Sequence, residues 1–548
     1  MATRTRSTVP LLAFLAVLSA TDAPAADPPP TTASRPAGVR AAVEVTAMDV
    51  DVVATKDGRP VNDLAKEEFV VRVDGRTVPI DYFARIEAGT VHGPDLATAS
   101  PDLVLDTLRN DAGETFVPRQ FLVYFDDDRL LPQERKPVIE ALRDFVTRLS
   151  PSDEISLLSF NGSTRVLVPF TNSKESLLDG LSRLEALAPK GLVREAEYQR
   201  TVRELRISRP RYRESVIRSW SFEAANRERA ALSELARSIS ALAARSGKRT
   251  VLLVTNGYEW HPGQTLAQAF GPALVSQFEQ DVSREIDEVL AQANSAGITI
   301  QVFDAKGLSS DVDASERLSP AVNPFFRAQN FRDSMAAMAA RTGGTLVENR
   351  NDFRASLDRV YRETSAYYSV GVTLSALSGV GPRKVEVRTT RPGVAVKART
   401  GFVARSADEA AVDRIEMALL TPGARGDFSA TLRIGELKSA GGLAGRRVGA
   451  YEVSFPASEL TFRDEGDRKT ALFEVTLAAV EDTGARSPVA PERKTVSVAA
   501  ADWEKARTEP FVYRGQVKTG KGNLRFVAGV RDVVTGRMAL ASADVRVE

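Results

Sequence analysis

The chain has 548 residues, too many for one hydrophobic core, so about three or four domains are expected. A formal net charge of +1 excludes a dominant electrostatic pull toward nucleic acid or anionic membrane, and the apolar and charged fractions are those of an ordinary globular protein. The absence of cysteine excludes disulfides, thiolate zinc sites, cysteine nucleophiles and a lipidated N-terminal cysteine.

Residues 1–25 read as an export signal, with Arg4 and Arg6 as the basic start, an apolar run at 9–19 and the small-x-small pattern Ala23-Pro24-Ala25. That run is too short for a membrane span, and no other segment is long and apolar enough, so a secreted or periplasmic product without an integral membrane segment after cleavage is expected. Residues 26–42, rich in proline, alanine and threonine, read as a flexible linker. Residues 43–92 alternate apolar and polar side chains around turns at 56–60 and 74–75, which predicts a small β module.

From 118 to 365 the pattern changes to strands alternating with helices. The apolar run 120–126 ends in Asp126, Asp127 and Asp128, and a helix over 132–149 places Val138, Ile139, Leu142, Phe145, Val146 and Leu149 on one face. Further strands are predicted at 153–160, 164–170, 249–255, 298–304 and 345–348, with helices between them. Right-handed crossovers then require an α/β domain with a doubly wound, mainly parallel sheet. Residues 194–229 form an arginine-rich helical insertion with interleaved glutamates. Residues 366–404 return to strands. They are expected to pair with the 43–92 module into one β-sandwich, with the α/β domain inserted between them, because each set is too small to bury a core alone. After a polar boundary at 405–412, residues 413–548 read as a C-terminal β-sandwich with a hairpin across 511–546.

Ligands of open α/β sheets sit outside the carboxyl ends of the strands, which directs attention to Asp126–Asp128 and to Asn256-Gly257 after the strand 249–255. The three acids are expected in a solvated loop, where Arg129 supplies counter-charge as well as a metal would. Ser159 and His261 lie on the same side, so a hydrolase using Asp126, Ser159 and His261 is the competing reading. Neither H-E-x-x-H nor G-x-S-x-G occurs, and the chain has two histidines, His92 and His261. Residues 515–522 nearly spell a phosphate-binding loop, but Gly522 stands where Ser or Thr should bind Mg²⁺ and no helix follows. In the insertion, Tyr212, Trp220, Arg211 and Arg213 are residue types that anchor protein interfaces, against the simpler reading of a salt-bridged, solvated helix.

With these elements in order, residues 118–365 resemble a von Willebrand factor type A (VWA) domain. Over roughly residues 43–404 the chain is similar to secreted bacterial proteins of the acidobacterial-type VWFA-related family. The resemblance is carried by 52–75 (VVATKDGRPVNDLAKEEFVVRVDG), 150–171 (SPSDEISLLSFNGSTRVLVPFT), 296–308 (AGITIQVFDAKGL), 342–353 (TGGTLVENRNDF), YYSVGVTL at 367–374 and Arg399-Thr400-Gly401-Phe402. It implies a metal-ion-dependent adhesion site of the pattern D-x-S-x-S, with a Thr from a second loop and an Asp after the fourth strand, in which a partner carboxylate completes the shell of Mg²⁺. Here Asp126 keeps the first position, Asp128 and Leu130 replace the serines, and Asn256 replaces the last acid. Glu259, Thr201 and Ser208 are the substitutes within reach of the pattern.

The resulting expectation is a secreted, non-enzymatic protein–protein interaction or adhesion protein with a degenerate metal site at Asp126, Asp128 and Asn256. No cofactor is expected, Mg²⁺ is the ion a surviving site would take, and the partner is a protein of the envelope or exterior, not nucleic acid.

Overall fold

The structure, a computed structural model, describes residues 17–18, 47–93, 108–109, 115–271, 280–307, 324–373, 382–439 and 446–547. The expected signal and linker fall outside them, apart from Val17 and Leu18. Two compact units are formed, one within residues 42–413 and one within residues 414–548.

In the first unit, strands β1 (Ala47–Lys56), β2 (Phe69–Val73) and β3 (Tyr82–Glu87) precede the α/β domain. That domain runs β4 (Arg119–Asp126), α1 (Pro132–Thr147), β5 (Glu154–Phe160), β6 (Thr164–Thr171), α2 (Lys174–Ala186), α3 (Gly191–Ile207), α4 (Pro210–Ala243) and β7 (Lys248–Thr255). It continues through α5 (Gln264–Phe270), α6 (Ser283–Ser295), β8 (Thr299–Asp304), α7 (Pro324–Arg341), β9 (Leu346–Val347) and α8 (Arg354–Ser365). The sheet order is β6-β5-β4-β7-β8-β9, parallel throughout except for the β5–β6 hairpin.

Every residue of β4 is buried, as befits a central parallel strand covered on both faces. Phe121, Val123 and Phe125 pack with Val138, Leu142 and Phe145 of α1, Leu181 of α2 and Val360 of α8. Alternation turns Leu122 and Tyr124 to the opposite face, the side covered by the buried residues of α4 and α6, among them Leu235, Ile239, Ile286 and Val289. The chain leaves β4 for β5 on one side and crosses through α2, α3 and α4 to β7 on the other. The switch point therefore lies where Asp126 and Thr255 end neighbouring strands.

After α8 come β10 (Ala366–Thr373), β11 (Arg383–Thr389) and β12 (Ala395–Lys397). β10 lies between β1 and β3, β11 pairs with β2, and β12 pairs with β1, all antiparallel. The leader and exit strands thus share two sheets and one core, in which Phe69, Phe83 and Tyr368 place their rings 5.1–5.6 Å apart. The Tyr368 hydroxyl donates to Val61 O and accepts from Leu64 N, which clips the turn between β1 and β2 onto β10.

A helix, α9 (Ala407–Leu420), occupies the stretch read as a polar boundary. The second unit is a β-sandwich of β13 (Thr431–Ile434), β14 (Arg447–Pro456), β15 (Arg468–Glu481), β16 (Glu492–Ala499), β17 (Pro510–Thr519), β18 (Gly522–Asp532) and β19 (Met538–Val547). β17 pairs with β14, whereas β18 pairs with β15 and β19. The hairpin expected across 511–546 is therefore confined to β18 and β19. The glycine-lysine turn at 520–522 carries the chain from one sheet to the other, with Gly522 at φ +132°.

Candidate functional site

The carboxyl edge begins where β4 runs out. Asp126, Asp127 and Asp128 are 0, 1 and 5 % exposed, so the expected solvated loop is instead a buried one. Burying three adjacent carboxylates is costly unless each meets a partner, and each has its own arginine. Arg129 Nε donates to Asp126 Oδ2 at 2.9 Å, and Thr255 Oγ1 donates to the same oxygen at 3.0 Å. Arg135, on the first turns of α1, donates to Asp127 Oδ1 at 3.1 Å, and Ser159 Oγ donates to Asp127 Oδ2 at 2.5 Å. Arg194, on α3, grips both oxygens of Asp128 at 2.7 and 2.9 Å.

Arg129 is the centre of this edge. Besides Asp126 it makes a two-pronged bond to Glu228 of α4 at 2.8 and 2.9 Å, and its guanidinium lies 4.9 Å from the centre of the Tyr258 ring. Asn256 Nδ2 donates to Glu134 Oε2 at 2.9 Å, while Glu134 also accepts from Leu131 N and so caps α1. The electrostatics follow the geometry. Burial pushes the Asp126 carboxyl up to about 6 against the pull of Arg129, and burial likewise raises Asp127 and Glu228. At Asp128 burial is outweighed by Arg194, and the carboxyl is held below its usual range. Glu259, on the loop after β7, is raised to about 7 by burial and by the neighbouring charge of Glu228.

A divalent ion does not fit this set. Mg²⁺ needs an octahedron of oxygens, yet both Asp128 oxygens are held by Arg194, and Leu130 is buried in the core with no oxygen to offer. The positive charge that an ion would bring is already supplied by Arg129. Asp126 Oδ1 and Asn256 Oδ1 have no hydrogen-bond partner, but two oxygens beside a guanidinium make no cation shell. Among the described residues no group of three or more His, Asp or Glu side chains is placed to hold a metal. Thr201, a proposed substitute, spends its hydroxyl on Glu197 O within α3, and Ser208 caps the end of that helix.

The residues of the competing hydrolase reading do not assemble. Ser159 donates to Asp127 rather than to a histidine, Asp126 is committed to Arg129 and Thr255, and His261 lies 4.0 Å from Asp281.

The insertion folds back over the edge. Its inner side supplies Arg194 and Glu228, residues singled out in the sequence only as members of a charged run. Trp220 is half-buried, its ring 5.8 Å from that of Tyr198 in a cluster with Leu205, Ile217, Leu266 and Phe270. The outer side is different. Of the seven large hydrophobic residues exposed among the described residues, five lie on α3 and α4: Leu192, Val193, Ile207, Tyr212 and Phe222. Arg211 stacks 4.7 Å over Tyr212, and Arg213 donates to Ser208 O while covering Phe270. Sequence reasoning missed Arg135 and Glu134, whose only local signal is their place in the first turns of a helix that starts beside three acids.

No family model matches the chain, and no curated protein does. Similar solved structures include a von Willebrand factor type A protein from Catenulispora acidiphila, at 10 % identity over 88 % of this chain and 73 % of that one, with a TM-score of 0.26. An aerotolerance-related membrane protein from Bacteroides fragilis is similar at 13 % identity over 45 % of this chain and 98 % of that one, TM-score 0.25. The vWF domain of the type V pili tip protein Mfa5 from Porphyromonas gingivalis follows at 12 % over 44 % and 94 %, TM-score 0.25. The α/β domain is a doubly wound, mainly parallel sheet, with an acid ending its first strand and the crossover placing β7 beside it.

Proposed function

We propose that this protein is an exported, non-catalytic binding protein of the envelope or exterior, in which an internal guanidinium has taken the place of the adhesion-site metal. The observation that carries the reading is Arg129, bonded to Asp126 and held from the far side by Glu228 of the inserted helix. A metal-dependent adhesion site works by leaving a coordination position open for a partner's carboxylate. Here the cation is covalently tethered and its donors are directed at internal acids, so the edge is closed. Recognition then moves to the outer side of the insertion, where exposed aliphatic and aromatic side chains stand among arginines. That composition suits the core of a protein interface. Among the described residues no helix is long and apolar enough to cross a membrane, and export rests on the N-terminal signal.

The reading is tested with a photo-crosslinking residue placed at Tyr212 or Phe222 and, as a control, at Val534. Each form of the exported chain is incubated with envelope proteins of its own cell, with and without EDTA. Specific adducts from 212 and 222, absent from 534 and indifferent to EDTA, are expected. Adducts that vanish with EDTA would return the function to a metal at the carboxyl edge.

A further inference from the structure

Helix α3 of the insertion is held to the sheet by one side only. Gly191 opens it against the loop after β4: a Cβ there would stand 2.4 Å from Leu130 O and 2.6 Å from Arg129 O, so only glycine allows the approach. Two main-chain bonds fasten the same point, Lys190 N to Asp127 O at 2.7 Å and Gly191 N to Leu130 O at 3.1 Å. Further along, Tyr198, Val202 and Leu205 are buried in one cluster with Ile217 and Phe270, and the Arg327 guanidinium of α7 lies 3.8 Å from the centre of the Tyr198 ring. These contacts fix the roll of α3 about its axis, and with it the face that the helix shows to water.

That face is ordered. Val193, Ala196, Arg200, Arg203 and Ile207 are all exposed, and they are spaced by three, four, three and four residues. The spacing is that of a coiled-coil seam, a strip that faces a single neighbouring helix, here over ~21 Å at about 1.5 Å per residue. Its ends are apolar and stand well out of the fold, Val193 being 52 % and Ile207 87 % exposed. Its centre is cationic. Among the described residues neither Arg200 nor Arg203 is ion-paired: Glu197 is taken by Arg194, and Glu204, although four residues beyond Arg200, forms no ion pair with it. Arg203 has Gln199 and Ile207 at a distance of four residues and Arg200 and Arg206 at three, so its own helix offers it no acid at contact spacing. A solvated helix settles such charge on i,i+4 acids, as Arg218 does with Glu214 on α4.

The strip selects its occupant by charge. A second copy of the chain, laid on it in either direction about the same centre, would bring arginine onto arginine. An interfacial membrane helix buries an apolar face and keeps its arginines on the opposite one, whereas here they stand in the middle of the same face. A helix with acids at its middle and aliphatic residues at its ends satisfies every position, because a guanidinium takes a carboxylate in a two-pronged bond. We propose that the outer face of α3 is a coiled-coil docking seam for an acidic helix of the partner protein, whose carboxylates seat on Arg200 and Arg203 while aliphatic side chains cover Val193, Ala196 and Ile207. The inference rests on the reading that recognition lies on the outer side of the insertion, and it names the chemistry of what is recognised.

The probes are two synthetic three-heptad helical peptides, alike in their aliphatic end positions and carrying either glutamate or lysine at the two central seam positions. Each is titrated against the full exported chain by fluorescence anisotropy. The glutamate form should bind saturably, one per chain, and at least tenfold tighter than the lysine form. Arg200→Glu with Arg203→Glu should invert that preference at an unchanged melting temperature, because both side chains are exposed and unpaired. Equal affinity for the two peptides, no saturable binding of the glutamate form, or a preference that survives the double substitution overturns the seam. Binding to phosphatidylglycerol vesicles without peptide binding, or self-association that the double substitution abolishes, overturns it equally. A photo-crosslinking residue at Ala196, beside those at Tyr212 and Phe222, separates the two readings. Adducts from 212 and 222 with none from 196 defeat the seam alone, whereas adducts from none of the three defeat recognition on the insertion as a whole.

Discussion

The two ends of one sheet hold their buried charge with different kinds of partner. At the carboxyl edge three aspartates meet three arginines, and the most central of these, Arg129, is shared with a fourth acid, Glu228. At the amino edge Arg249 and Arg399 also donate to main-chain carbonyls, beside the ion pairs of Lys248 with Asp51 and Lys397 with Glu363. A closed ion-pair network holds elements in register but leaves nothing for a ligand to complete. The edge at which α/β sheets ordinarily bind is closed here by ion pairs.

The sharpest way to break this comparison is Arg129→Met. It leaves Asp126 and Glu228 buried without a cation, and such one-sided removal typically costs about 3–5 kcal/mol. Urea denaturation should show that loss, and a cost below about 1 kcal/mol would mean that the network does not hold the edge together. Next comes the cover of that edge. Trp220→Ala removes a half-buried ring from the cluster around Tyr198 and should cost about 2 kcal/mol, less than a fully buried aromatic, whereas Tyr212→Ala on the outer side should change stability by less than about 0.5 kcal/mol. Equal effects would place both rings in the same environment.

At the amino edge Arg399→Gln loses two charge-assisted hydrogen bonds and the attraction of Asp49 and Asp51, offset in part by relief of the burial cost and of the repulsion from Arg249, so its net cost should be about 1–2 kcal/mol. A cost matching that of Arg129→Met would erase the distinction between the two ends.

A smaller effect depends on pH. The Glu259 carboxyl is raised from 4.5 to about 7, so between those values the folded chain binds more protons than the unfolded one, and this group's contribution to stability falls as pH rises through that window. Glu259→Gln should therefore be about 1 kcal/mol more stable than the parent at pH 8, an advantage that fades by pH 4.5. A stability difference that is flat with pH would show that Glu259 titrates normally. The smallest expectation concerns metal: millimolar Mg²⁺ or EDTA should leave the melting temperature unmoved, although a ligand at 100 times its Kd would add about 2.7 kcal/mol. A Mg²⁺-dependent rise that disappears in Asp126→Ala would reopen the carboxyl edge.

Much of this fold was determined by the sequence itself. The all-apolar run of β4, the helical spacing of Val138, Leu142 and Phe145, and the alternation of the leader and exit strands each report a local pattern of burial. A period of two or of 3.6 is set by the backbone alone. The position of the three acids at a strand end was equally legible, because it follows from where the apolar run stops. Whether Pro510–Thr519 turns back on its neighbour or crosses to the other sheet was not, since both outcomes satisfy the same alternation. Nor was the state of the acids. Asp128 finds its arginine 66 residues away and Arg129 its glutamate 99 residues away, on helices whose charged runs look solvated when read in isolation. A cavity lined by Asp49, Arg249 and Arg399 joins segments from the leader, the sheet and the exit. Periodicity tells which side chains leave water. The pairing of charges depends on distances through space, and only the tertiary packing sets those.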